Sequence, residues 1–255
     1  MALNKAKVFT ITSVKGGVGK ATTLLNLAGI CSNLGKRVLI IDLDLYSGDV
    51  ASLLNITYDN DIYNLYEDIN NNKFTNLDDY ITSYNDQIKV LPAPKDPRFA
   101  RKISVKIINT ILYKASMKFD VIFIDTNHIL TDINLVALDH SDQILYLINN
   151  DSMNLKNMKT IVSILTDMNK INYKIILNES NNRDKSYYNK YDIKNIINKN
   201  VNYIIPYTFY IKNIDKYIIE GKILTLDDSI VRKNKSALNI HKLIVSDILK
   251  ESKVD

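Results

Sequence analysis

Six consecutive residues, Lys15, Gly16, Gly17, Val18, Gly19 and Lys20, have the types and spacing to hold a phosphate group. Glycine lets the backbone curl until several N–H groups point at one anion. An apolar, strand-like run at 8–12 precedes them and a helix-like run at 22–34 follows. The loop therefore sits where a strand hands over to a helix, and the positive end of that helix adds to the attraction. Lys20 is placed to reach the terminal phosphates of a nucleotide, with Ala21 and Thr22 completing the binding stretch.

Two details set this loop apart. The ordinary pattern begins with glycine; here that position is Val14, and a second lysine, Lys15, follows it. The residue after Lys20 is ordinarily Thr or Ser, whose hydroxyl binds magnesium; here it is Ala21, which has no ligand atom. Thr22 does not replace it without a backbone shift, because one residue of helix turns a side chain by roughly 100°.

Carboxylates follow two other apolar runs. Asp42 closes the run 37–42 with Asp44 two residues on, and Asp125 closes the run 121–125. An aspartate ending a strand beside a phosphate loop orders magnesium and its waters. Asp125 is the candidate for that role, Asp42 for support of the magnesium shell, and Asp44 for orienting the attacking water. The bland alternative is that each caps the segment after it. Together with the loop, the functional reading is favoured.

Further strand-like runs lie at 88–91, 143–149, 174–178 and 203–205. Helix-like runs lie at 22–34, 62–70, 103–116, 133–138, 154–169, 193–198 and 237–250. Several strand runs are continuous Ile/Val/Leu, as in a parallel sheet covered on both faces. The alternation predicts one α/β domain over 1–255, doubly wound and mostly parallel with helices on both faces. In that class ligands sit beyond the carboxyl ends of the strands, where the polar motifs fall. The Asn-rich stretches 70–76 and 179–189 read as surface loops, and there is no internal repeat or linker.

Composition is that of a globular chain: 255 residues, 46% apolar and 24% charged. No apolar run approaches the ~20 residues that span a bilayer, and Lys5, Lys7 and Lys15 interrupt any secretory leader. The single cysteine, Cys31, excludes an intrachain disulfide. A cytoplasmic location is expected. The net charge of +5 is modest, with lysines scattered rather than clustered, so composition neither demands nor excludes nucleic acid.

The two-lysine loop resembles the deviant Walker A motif of the ParA/MinD superfamily of dimerising P-loop ATPases. The resemblance implies ATP or ADP with magnesium as ligands. It also implies a homodimer in which Lys15 crosses to the partner's nucleotide, making Lys15, Lys20 and Asp44 the catalytic set. The run Asp42-Leu43-Asp44-Leu45-Tyr46-Ser47-Gly48-Asp49-Val50-Ala51 looks like the switch segment of the CpaE/TadZ family of Tad (Flp) pilus assembly. Leu91-Pro92-Ala93-Pro94-Lys95-Asp96-Pro97, Asp125-Thr126-Asn127-His128 and the run Leu135 to Asp142 are similar to other segments of that family, over roughly residues 7 to 250. Pilus or secretion machinery is the partner this implies, with recruitment to a pole or the inner membrane face. Many members carry an N-terminal receiver-like domain, and input through one is not expected here. Asn178, closing its strand, is similar to the superfamily's adenine-contacting Asn, and Pro206 opens the other side of that pocket. Without the resemblance Asn178 reads equally well as a turn residue.

His128, His140 and His241 lack metal-type spacing. The last run carries a core-facing stripe of Ala237, Ile240, Ile244 and Ile248, with Leu238 and Leu249 close by, and ends Glu251 to Asp255 rather than in a cationic membrane anchor. Two other functions stay open: a partition ATPase that binds DNA non-specifically, and a scaffold that binds nucleotide without turnover, which Ala21 favours. Iron–sulfur carriage needs paired cysteines. A tyrosine-kinase tail needs clustered tyrosines, and none follows Tyr217.

Overall fold

The computed structural model describes residues 5–180, 188–209 and 214–250, leaving aside the side chains of Ser236 and Ala237. Part of the stretch 179–189, the side chain of Ala237 and the end 251–255 lie outside the described residues. Eight strands form one sheet: β1 Lys7–Ser13, β2 Val38–Leu43, β3 Thr82–Ser83, β4 Ile88–Leu91, β5 Val121–Thr126, β6 Gln143–Ile148, β7 Tyr173–Asn178 and β8 Tyr203–Ile205. Their order is β3-β4-β2-β5-β1-β6-β7-β8, and among the described residues only the β3–β4 pairing is antiparallel. The expected doubly wound α/β architecture is the one observed.

The helices are α1 Lys20–Asn33, α2 Asp49–Leu53, α3 Ile62–Asn70, α4 Lys106–Ser116, α5 Asp132–Asp139, α6 Ser152–Asp167, α7 Lys190–Ile197, α8 Ile214–Ile219, α9 Asp228–Lys233 and α10 Lys235–Lys250. They divide between the two faces by the two-residue alternation of the strands. Phe9 and Ile11, Val38 and Ile40, Val121 and Phe123, and Ile176 all point to the face that α1 and α10 cover. Val8, Leu39, Ile41, Ile122 and Ile124 point to the opposite face, under α3, α4 and α5. Ile144, Tyr146, Ile175 and Leu177 continue that opposite face under α6 and α7. The same parity carries Asp42, Asp125, Asn178 and Ile205 to the α1 face, because each lies two residues beyond a core residue of that face.

In α10 the buried stripe is Leu238, Ile244, Val245 and Ile248, with Ile240 only partly covered. Ile244 and Ile248 of the expected stripe are buried as expected, and the start of the stripe, Ala237, lies outside the described side chains. Helix α1 is buried from Thr23 to Cys31, as a central helix requires. Burial also pushes the Cys31 thiol up to about 12, which makes it inert. Gly29 is where α1 meets the turn Leu224–Leu226: a Cβ there would lie 2.3 Å from Thr225 Oγ1 and 2.8 Å from Ile223 Cγ2. Gly29→Ala is expected to lower stability by about 1–3 kcal/mol through overpacking, despite the better helix propensity of alanine. Urea unfolding checks this, and a loss below about 0.5 kcal/mol would mean that the turn gives way freely.

Candidate nucleotide site

The phosphate loop runs from Ser13, the last residue of β1, to Lys20, the first of α1. Gly17 and Gly19 have φ of +74° and +93°, in the region that L side chains avoid. Gly19 is the N-cap of α1, and no side chain caps that end. The first N–H groups of a long buried helix are thus left to whatever sits in the loop, which is how a helix start takes an anion. Lys15, Gly16 and Gly17 are exposed, Val18 is buried, and Gly19, Lys20, Ala21 and Thr22 are half-buried. The Ser13 hydroxyl donates to the Lys15 carbonyl at 2.7 Å and fixes the loop's entry.

Asp42 and Asp125 are register partners on β2 and β5, side by side on the α1 face and both buried. Asp42 accepts one backbone N–H at each oxygen: Oδ1 from Asp44 at 3.1 Å and Oδ2 from Val50 at 3.1 Å. It pins the segment after β2 to the start of α2, so the capping role is present alongside any metal role. Asp125 Oδ1 is buried without a hydrogen-bond partner. Burial, with Asp125 next to it, holds the Asp42 carboxyl well above the usual range. Burial pushes Asp125 up to about 7, against the pull of Lys20. Asp44, half-buried beyond the strand, is also raised by burial and opposed by Lys20. The centre therefore holds more carboxylate than Lys20 alone offsets.

That surplus fits magnesium. An orphaned carboxylate oxygen buried beside a phosphate cradle is satisfied by a cation. Among the described residues no group of three His, Cys, Asp or Glu forms a self-sufficient metal cage. Magnesium is suited to such a site, since it keeps waters and leans on substrate phosphates.

A family described as an AAA domain matches residues 6–182, more than half of the chain. The chain belongs to the ParA/MinD family of P-loop ATPases. A chromosome partitioning protein ParA of Myxococcus xanthus is 30% identical over 148 residues, 54% of this chain and 50% of that protein. A ParA family ATPase of Chlorobium tepidum superposes with a TM-score of 0.78 at 19% identity, covering 98% of this chain and 100% of that one. The septum site-determining protein MinD of Pyrococcus horikoshii, solved with Mg-ADP, gives 0.76 at 18% identity over 97% and 98%. The matches span between 15% and 50% of the length of these curated relatives.

In this member of the family a cavity of about 270 Å³ adjoins the loop. Thr22, Thr23 and Asn26 of α1 line it, opposite Asn178, Ile205 and Phe209. Thr22 thus belongs to the cavity wall. Asn178 Nδ2 donates to the Val18 carbonyl at 2.8 Å, and its Oδ1 accepts from the Ser180 N–H and hydroxyl at 3.1 and 2.6 Å. Asn178 therefore clamps the phosphate loop as well as facing the cavity. Pro206, half-buried just past β8, adjoins the lining residue Ile205. Sequence reasoning missed Asn26, Phe209 and the clamp, since only the sheet order brings β7 and β8 beside α1. His128 lies over the loop: a Cβ on Gly16 would sit 3.7 Å from His128 Nδ1. The loop after β5 is set by Asn127, whose Oδ1 accepts from the Ile129 N–H at 2.9 Å and Asn134 Nδ2 at 2.8 Å.

Proposed function

We propose that this chain is an ATP-dependent, dimerising switch that positions or regulates a larger machine. The reading rests chiefly on one observation: an uncapped helix start behind a left-handed glycine loop, facing an orphaned buried carboxylate. The loop N–H groups of residues 16–22 and Lys20 hold the phosphates. The cavity between Asn26, Asn178 and Ile205 takes the base, with Pro206 at its border. Asp42 and Asp125 hold magnesium through water, and the metal when bound offsets charge on the phosphates. Asp44 orients a water for attack on the terminal phosphorus as the bond to ADP breaks. Lys15 is exposed, so it is free to serve a second protomer in trans.

Light scattering with and without ATP tests the dimer. The chain should double in mass with ATP, and Lys15→Ala should stay monomeric while still binding ADP. Equal ATP-induced dimer in both proteins would remove Lys15 from the interface.

For the client, the resemblance of the segment from Asp42 to Ala51 supports a Tad/Flp-type pilus or secretion machine, served from the cytoplasm at a pole or the inner membrane face. Among the described residues no helix is long and apolar enough to cross a membrane. The match to a chromosome partitioning protein favours a second reading, non-specific DNA binding by the ATP dimer. Partition predicts ATP-dependent DNA binding that weakens steeply with salt; no DNA binding at low salt would leave the pilus reading.

A further inference from the structure

A second cavity, of about 620 Å³, opens at the far end of α1, between that helix, the turn Leu224–Leu226, α9 and α10. Its volume lies within the range of small-molecule sites, roughly 300–1,000 Å³. Its walls are apolar: Ile30 of α1, Leu34 just past that helix, Leu226, Val231 of α9, and Leu238 and Leu249 of α10. Leu34 is 58% exposed, an apolar side chain left at the mouth.

The polar lining is ordered. Lys242, Ser246 and Lys250 follow one another at four-residue steps along one face of α10. The two lysines are two turns apart, about 12 Å along the axis, with the Ser246 hydroxyl midway. Neither ammonium has an ion pair or hydrogen bond with another described residue. The acid of the lining, Asp228, is exposed in the first turn of α9, where the helix start offsets part of its charge. The cavity therefore joins an apolar trough to a cationic rim.

We propose that this cavity binds a free long-chain carboxylate. The alkyl chain lies along the apolar walls, and the carboxylate sits at Ser246 within reach of Lys242 and Lys250. An apolar partner helix in the same trough would leave both lysines without a counter-charge. A cationic amphiphile would meet like charge.

Occupancy is coupled to the nucleotide cavity, a step that rests on the nucleotide reading above. Thr225 lines the far cavity and Asn26 the near one. Thr225 Oγ1 donates to the Asn26 carbonyl at 2.9 Å, and the Thr225 N–H donates to Asn26 Oδ1 at 3.2 Å. A ligand that shifts the turn Leu224–Leu226 moves α1, and affinities at the two sites then change reciprocally.

The test is calorimetric titration of the whole chain with monomeric dodecanoate, and with dodecyltrimethylammonium as the cation of equal length. Dodecanoate should bind saturably at one site per chain, and the cation should not. Val231→Trp, which fills the cavity, and Lys242→Glu, which reverses the rim, should each weaken dodecanoate at least tenfold with an unchanged circular dichroism spectrum. Equal binding of both amphiphiles, no dodecanoate binding, or full affinity in Val231→Trp would overturn the proposal. ADP affinity is measured first without amphiphile, then with saturating dodecanoate, where a shift of threefold or more is expected and should shrink in Thr225→Val. An unshifted ADP affinity would overturn the coupling. Failure of ADP to bind at all would instead remove the nucleotide reading and leave the dodecanoate arm standing.

Discussion

Asp125→Asn is expected to make the nucleotide-free chain more stable while nearly stopping its ATP turnover. The carboxyl of Asp125 is buried, its Oδ1 has no partner, and its pKa is pushed up to about 7. A carboxyl whose folded-state value lies above its unfolded value near 4 favours the folded state most when protonated, at low pH. That stability is lost as pH rises from about 4 through 7. At pH 8 the charged form should destabilise the fold by about 2–4 kcal/mol, which asparagine relieves. Urea unfolding of both proteins without nucleotide should show the gap at pH 8 and its closure toward pH 4. The same change removes a group proposed above to hold magnesium, so turnover should fall by roughly 10–100-fold or more. Mg-ADP should then stabilise the variant less than the parent chain, because stabilisation by a ligand follows its affinity. A variant no more stable than the parent at pH 8 would mean that Asp125 is relieved by its neighbours without metal.

Ala21→Thr is expected to raise the ATPase rate by roughly tenfold or more. The half-buried Ala21 follows Lys20 in the first turn of α1, where a hydroxyl would restore a direct magnesium ligand. Binding of nucleotide should change little, because loop amides and Lys20 grip phosphate without that hydroxyl. The rate is sensitive because charge on the leaving phosphate is greatest in the transition state. Phosphate release at saturating ATP and magnesium measures it. If Ala21→Thr turns over no faster, the missing ligand is not what limits the chain, and the scaffold reading gains.

The sequence alone determined the parallel strands that build the sheet and the glycine loop between β1 and α1. Continuous Ile/Val/Leu runs declare strands buried on both faces, and a glycine loop between strand and helix is a local pattern. Helix 62–70 matches its expected bounds to the residue, and in the fold Asp61 and Asn64 form a capping box at its start. Some short elements were not legible, although the three-residue β8 was read at 203–205. Helices α2, α8 and α9 span five or six residues, too few for a periodic signal, and β3 is a two-residue edge pairing. Tertiary structure decided the rest of the site. Strand parity placed Asp42, Asp125 and Asn178 on one face, but only the sheet order brought β2 and β5 together and set β7 within reach of Val18. Each oxygen of Asp42 accepts a backbone N–H while Asp125 Oδ1 has no partner, a difference no reading of two similar strand ends could supply. The physical reason is that a motif is held by neighbours in sequence, whereas satisfaction of a buried polar atom depends on segments that meet only after the chain has folded.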